Sequence, residues 1–249
     1  MAKVIILANG NVGLEIAKLL RSNNDEIVSV YWYGTDEIRQ QLADIFSINI
    51  DQVRSWSDFK SKGDVDKLIS ENADFYITVY WPFLLRGREL LIARDSINFH
   101  PALLPINRGW YPHVHSILDG SPTGVTLHRV SEKPDAGDVW CQEQVDLYAE
   151  DIASDIYQRL QDRIIKLFAE NWPRIRSGDI IPKQQDEAKA NYHGKNQIDA
   201  LDRIDLDRKT TAREVINILR ARTFHERGFA YFIDDKNNRV QISVKLKKA

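Results

Sequence analysis

Three observations predict an α/β fold: a mostly parallel sheet with helices on both faces, then a small C-terminal helix and β-hairpin subdomain. Over the first hundred residues, short apolar runs of buried-strand type alternate with helical periodicity. The chain opens on a strand, a glycine-containing turn and an amphipathic helix, the first βα unit of a Rossmann-like sheet. Near Ile180 the texture changes, which divides the chain into residues 1–180 and a more polar 181–249.

The elements follow in order. Lys3–Ala8 reads as a buried strand, Asn9–Gly13 as a turn and Leu14–Arg21 as a helix. The full dinucleotide fingerprint is missing, because Ala8 stands where a first glycine is needed; a plain strand-to-helix turn and a phosphate contact both remain open there. Ile27–Tyr33 is the second strand, with helical patterns around Asp36–Phe46 and Val65–Asn72. Asp74–Tyr80 is the third strand, Leu84–Ala93 looks helical, and Ser96–His100 is the next strand, stopped by Pro101. Gly124–Val130 and Val139–Leu147 are strands on either side of a Pro/Gly-punctuated loop. Asp151–Arg176 carries a helical apolar face through Ile156, Leu160, Ile164 and Phe168, with Pro173 expected to end or kink its last turn. In the tail, Thr210 and Thr211 before Glu214 mark a capped helix, and Phe229–Ile233 with Arg239–Leu246 forms a hairpin.

At 249 residues, 43% hydrophobic and 28% charged, the chain has enough apolar surface for one large domain, or one plus an appendage. The formal net charge of −2 gives no global field for nucleic acid or a membrane surface. The single cysteine, Cys141, excludes an internal disulfide and reads as a small strand hydrophobe rather than a nucleophile. No apolar run has the length of a membrane span, and Met1-Ala2-Lys3 leads directly into a strand rather than a signal peptide. The expectation is a soluble cytoplasmic protein. His113, His115 and His128 lack metal-ligand spacing with Cys or carboxylate partners, so they are expected as surface or loop histidines and no metal is expected.

The chemistry gathers between Ser96 and Asp138. Asn98 and His100 are two residues apart at a strand end, so their side chains share one face. An imidazole moves protons near neutral pH, and an amide can donate to a developing oxyanion. Asp135, in the loop from Ser131 to Asp138, adds a carboxylate. Ligands of parallel α/β sheets bind beyond the carboxyl ends of strands, where Trp81 and His100 both fall. Trp81, Phe83 and Leu84 would line one side of such a cleft, an apolar and aromatic wall for a flat ring; on the residues alone, Trp81 and Phe83 read equally as core plugs.

The run N-x-H-P-x-L-L-P (98–105), then R-G-x-x-P (108–112), G-V-T-L-H (124–128) and D-x-G-D (135–138), resembles the folate-dependent formyltransferases. That family includes glycinamide ribonucleotide, methionyl-tRNA and nucleotide-sugar N-formyltransferases. The resemblance is close over about forty residues and loose over the whole chain. It implies that Asn98, His100 and Asp135 are catalytic. It also implies that N10-formyltetrahydrofolate is the co-substrate, held by Tyr80, Trp81, Phe83, Leu84, Ser131, Pro134 and Asp138.

The tail pattern I-D-L-D … L-R-A-R-T-F … A-Y-F and the N-R-G-W-Y-P loop are similar to the bacterial nucleotide-sugar branch. The implied acceptor is a nucleotide-linked amino sugar, of the dTDP-4-amino-4,6-dideoxyglucose type, used in O-antigen or surface polysaccharide assembly. Its contacts are expected at Asn107, Arg108, Trp110, Tyr111, Tyr192 and His193, and the assembly is expected to be a homodimer. Three alternatives remain: a methionyl-tRNA or other small-amine formyltransferase, against which the mixed charge of the tail speaks; an NAD-dependent nucleotide-sugar oxidoreductase; and a non-enzymatic folate- or nucleotide-binding regulator.

Overall fold

The computed structural model describes residues Met1–Lys248. Strands β1 (Lys3–Asn9), β2 (Glu26–Tyr33), β3 (Val53–Ser55), β4 (Ala73–Val79), β5 (Ala93–His100), β7 (Gly124–His128) and β8 (Val139–Gln144) form one seven-stranded sheet in the order β3-β2-β1-β4-β5-β7-β8. The short strand β6 (Arg108–Gly109) lies outside it. The β1–β2, β1–β4, β2–β3 and β4–β5 pairs are parallel, and β7 runs antiparallel to β5. Helices α1 (Gly10–Ser22), α2 (Asp36–Phe46), α3 (Trp56–Phe59) and α4 (Lys62–Ser70) connect the parallel strands. The expected mostly parallel α/β sheet is therefore present.

The chain forms two compact units. The first comprises Met1–His100, Thr126–Gln142 and Ile164–Gln185; the second comprises Pro101–Val125, Glu143–Arg163 and Asp186–Ala249. Residues 186–248 thus share their unit with two earlier segments.

In the first unit, Ile5, Leu7, Tyr31, Phe59, Leu68 and Tyr76 form a buried core under the sheet. Ile5, Leu7, Tyr31, Leu68 and Tyr76 come from strands and a helix that the apolar pattern marks, and Phe59 from the short α3, which it does not. Phe75, Phe168 and Trp172 pack together, with Phe168 and Trp172 on helix α6 (Ala153–Arg176). Asp25 ties these parts together. Its buried carboxylate accepts from the Ala2 N–H at 2.9 Å, the Trp172 indole at 2.7 Å and the Arg176 guanidinium at 2.6 Å.

The second unit holds α5 (Pro112–Asp119), β9 (Tyr192–His193), α7 (Ala212–Ala221) and the short pairs β10 (Thr223–Phe224) with β11 (Arg227–Gly228) and β12 (Tyr231–Ile233) with β13 (Arg239–Gln241). Thr211 caps α7, accepting from the Glu214 N–H at 3.1 Å. Arg220, buried on α7, donates to the carbonyls of Tyr148 and Asp151 at 2.7 and 2.8 Å.

Several local expectations change. The helix expected over 84–93 is a 3-10 segment at Gly87–Leu91, because Gly87 is left-handed (φ +53) and Arg86 extended. The turn expected over 9–13 contracts to Gly10 (φ +64), from which α1 already runs. Helix α6 continues through Pro173 to Arg176. Strand β3 and helix α5 were not expected. Helix α5 starts from a left-handed Tyr111 with Pro112 in its first turn, a start that turn-like residues conceal. His113 and His115 on α5 and His128 on β7 are buried rather than on the surface or in loops.

Candidate active site

Strand β5 delivers Asn98 and His100 at its carboxyl end, paired with His128 and Thr126 of β7. The Asn98 amide has a fixed orientation. The Thr78 hydroxyl, from the adjacent strand β4, donates to Asn98 Oδ1 at 2.7 Å. The amide nitrogen therefore faces the other way, 3.0 Å from His128 Nε2 and 3.4 Å from Asp135 Oδ1. His128 Nδ1 lies 2.7 Å from the Arg129 carbonyl, which can only accept. The proton of neutral His128 thus sits on Nδ1, and Nε2 accepts from Asn98.

Around Asp135 the distances lengthen. Its Oδ1 lies 3.5 Å from His100 Nδ1 and 3.5 Å from His128 Nε2, all with side chains at most 14% exposed. One carboxylate oxygen therefore faces an amide donor and two imidazoles, none at short hydrogen-bond distance. Such a site has room for a proton to change hands, and one Asn98 N–H is held loosely enough to turn to another oxygen.

The loop carrying Asp135 is built to hold it. Asp135 is left-handed (φ +53), an uncommon state for a residue with a Cβ. At the loop neck the Arg129 N–H donates to the Asp138 carbonyl at 2.8 Å. A Cβ on Gly137 would come within 1.9 Å of the Arg129 carbonyl oxygen, so this position must be glycine. Arg129 forks onto the Asp95 carboxylate at 2.9 and 2.6 Å and lies over the Trp140 ring.

After β4, within the first unit, the aromatic residues cluster. Tyr80 is left-handed (φ +49), and its carbonyl accepts from Asn9 Nδ2 at 2.9 Å. Trp81 packs on the core and meets Tyr33, Trp56 and Phe83 edge-on. Phe83 stacks flat on Trp56 with ring centroids 4.0 Å apart, and Leu84 is 45% exposed. Among the described residues the buried Trp81 indole N–H has no hydrogen-bond partner, which makes it a donor open to a ligand. In the other loop, Ser131 Oγ donates to the Lys133 carbonyl at 2.8 Å, Pro134 precedes Asp135, and Asp138 lies 3.5 Å from Arg129.

The remaining expected residues lie in the second unit. Asn107 is wholly buried and bonded at both ends of its amide. Arg108 is buried and ion-paired with Glu187 at 2.6 Å. Trp110 is 37% and Tyr192 51% exposed, and Lys195 Nζ lies 4.9 Å above the Trp110 ring. Tyr111 caps α5, and its ring neighbours Trp110. His193 stacks on His115 with centroids 3.5 Å apart.

Sequence reasoning missed Thr78 and His128 as members of the Asn98 cluster. A Thr in an apolar strand reads as a β-former, and only the cross-strand register gives His128 its partner.

Comparisons with known proteins fit this geometry. The family profile described as "Formyl transferase" matches residues 2–171, and that described as "N-formyltransferase dimerization C-terminal domain" matches residues 197–248. A dTDP-4-amino-4,6-dideoxyglucose formyltransferase of Mycobacterium tuberculosis is 33% identical over 150 residues, which is 60% of this chain and 64% of that protein. The match thus takes in less than two thirds of that relative's length. The solved 4-N formyltransferase of Francisella tularensis superposes with TM-score 0.83 at 25% identity, over 100% of this chain and 99% of that one. The formyltransferase PseJ of Anoxybacillus kamchatkensis, solved with UDP-4,6-dideoxy-4-formamido-L-AltNAc and tetrahydrofolate, gives TM-score 0.61 at 26% identity over 88% of this chain and 98% of that one.

Proposed function

The chain belongs to the formyl transferase family, and from that premise we propose that it transfers a formyl group from N10-formyltetrahydrofolate to the amine of a nucleotide-linked amino sugar. The acceptor is of the dTDP-4-amino-4,6-dideoxyglucose type, by likeness to the M. tuberculosis relative, and the product serves O-antigen or surface polysaccharide assembly. These substrates are small, charged and water-soluble, which fits a reaction in the cytoplasm. The observation that carries the reading is the arrangement of Asn98, His100 and His128 around one oxygen of Asp135.

When bound, N10-formyltetrahydrofolate supplies the formyl carbon. Tyr80, Trp81, Phe83 and Leu84, with Ser131, Pro134 and Asp138, are the residues proposed to hold it. The buried, unpartnered Trp81 N–H fits a ring that carries hydrogen-bond acceptors. Asn98, its carbonyl engaged by Thr78, presents N–H to an oxygen that gains negative charge. Protonated, His100 is an ion pair with Asp135 and a second donor to that oxygen; neutral, it is a base for the amine proton. A turnover rate that falls as pH rises through the imidazole titration supports the donor role, and one that rises supports the base. Asp135 orients the imidazole and relays the proton. Acceptor contacts are proposed at the exposed rings of Trp110 and Tyr192, with Asn107, Arg108, Tyr111 and His193 shaping the same segments.

The match at 197–248 to a dimerization domain supports a homodimer. On α7, Val215, Ile218 and Leu219 are only half-buried and Ile216 is 46% exposed, leaving apolar surface for a second copy. Sedimentation at micromolar concentration tests this.

The function is tested by incubating the purified protein with N10-formyltetrahydrofolate and dTDP-, UDP- and GDP-linked 3- and 4-amino sugars, with mass-spectrometric readout. A formylated sugar nucleotide is the expected product. Formylation of methionyl-tRNA with none of any sugar overturns the acceptor assignment, and no formyl transfer to any amine overturns the reaction.

A further inference from the structure

We propose that Gln185 is a positioning residue for this site: its side-chain amide locks the left-handed turn that aims the Asp135 carboxylate. This rests on the reading of Asp135 as a member of the reacting cluster. Gln185 Nε2 lies 2.9 Å from the Asp135 carbonyl and 2.6 Å from the Gly137 carbonyl. Both partners can only accept, so the NH2 end of the amide must face them, and each of its two hydrogens has its own carbonyl. The amide bridges residues 135 and 137 across the one bend where the backbone needs holding.

Two features make the bridge matter. The φ of +53 at Asp135 is a conformation that L-residues adopt at a cost, and it persists where the surroundings enforce it. The contacts of the side chain so aimed to Asn98, His100 and His128 are 3.4–3.5 Å long, so they hold the loop less firmly than short hydrogen bonds would. Gln185, 8% exposed, is placed by the backbone just before it. Lys183 and Val139 exchange two N–H···O bonds of 2.8 Å, docking this segment on the first residue of β8. The amide thus connects a docked backbone to the carbonyl of the reacting residue.

The test uses Gln185→Met, which keeps the volume and removes both donors, and Gln185→Glu, which keeps the shape but sets an acceptor against two carbonyls. In the full-length protein, the His100 imidazole titration is followed by NMR and assigned with His100→Asn. Both Gln185 variants are expected to move the His100 midpoint in the direction that Asp135→Ala moves it. An unchanged midpoint in Gln185→Met overturns the proposal, whatever the substrate proves to be. Kinetically, Gln185→Met should lower kcat by roughly tenfold to a hundredfold, with KM within about twofold. In an Asp135→Ala background the same change should cost almost nothing. An equal loss in both backgrounds means a general structural role and overturns the proposal. Absence of formyl transfer by the wild type removes the proposed function and leaves the NMR arm to decide on Gln185.

Discussion

Asn98 in the first unit and Asn107 in the second both sit among histidines and hydroxyls, yet their bonding differs. Asn107 is saturated: its nitrogen donates to Ser116 and Ser121 at 3.0 and 2.9 Å, and its oxygen receives His193 and Asn191 at 3.0 and 3.3 Å. The neighbouring cation, Arg108, is neutralised by Glu187. Asn98 has two short bonds, to Thr78 and His128, and a third, stretched one to a carboxylate that two imidazoles also face at 3.5 Å. The same residue types therefore make a strut in one place and a site with slack in the other. Reaction requires that slack, because a group whose bonds are all short has nothing to offer a substrate.

The largest expected effect tests that contrast at its sharp end. Asp135→Ala or His100→Asn should lower turnover by roughly 10²–10⁴-fold, the range of general acid–base catalysis, while folate binding and the unfolding temperature stay near wild type. Near-normal rates in both variants would remove the site assignment. The converse change is Asn107→Ala. It leaves the buried Ser116 and the less buried Ser121, His193 and Asn191 each short of a partner, a cost on the order of 2–3 kcal/mol. Thermal unfolding should begin roughly 5 °C or more lower. A raised KM at unchanged stability would instead make Asn107 a direct acceptor contact.

Next in size is a pH effect confined to the second unit. Burial pushes His113 down to about 3, with His115 and the Arg222 guanidinium adding to the shift. Burial and the stacked His193 push His115 down to about 4, against a smaller opposing effect of Asp119. Among the described residues neither His113 Nδ1 nor His115 Nε2 has a hydrogen-bond partner. Unfolded, both histidines bind a proton below about 6.5; folded, they do not until pH is far lower. Their contribution is thus present at neutral pH and is lost as pH falls below about 6.5, by about 1.4 kcal/mol per histidine at pH 5.5. Urea unfolding at pH 7.5 and 5.5 should show this, and His113→Gln should flatten it. An unchanged slope in that variant would mean that His113 titrates normally, and the second unit would then hold a proton carrier after all.

What the sequence disclosed follows from how far apart the partners lie. Asn98 and His100 were legible because they are two residues apart on a strand that Pro101 stops, and spacing alone puts them on one face. Asp135 was legible through its Pro/Gly loop. His128 was misplaced, because its role depends on the β5–β7 register, which pairs it with a residue thirty positions away. Gln185 was hidden in a polar stretch, fifty residues from the turn it bridges. In the fold, α2 lies where its helical pattern is read. Helix α5 was invisible because its start is a left-handed Tyr, not an ordinary cap.

The smallest effect probes why Asn98 points the way it does. Thr78→Val keeps the shape of a 3%-exposed side chain and deletes the hydroxyl that donates to Asn98 Oδ1. Without it the buried oxygen loses a bond worth about 1 kcal/mol, and the amide gains freedom to rotate its nitrogen away from Asp135. Turnover should fall by about threefold to tenfold, with KM nearly unchanged, since a bond of this size corresponds to at most about one decade in rate. Thr78→Ser, which restores the hydroxyl, should return most of the rate. If valine and threonine give equal rates, the His128 bond alone orients the amide. The slack at Asn98 would then be set from β7 rather than from both flanking strands.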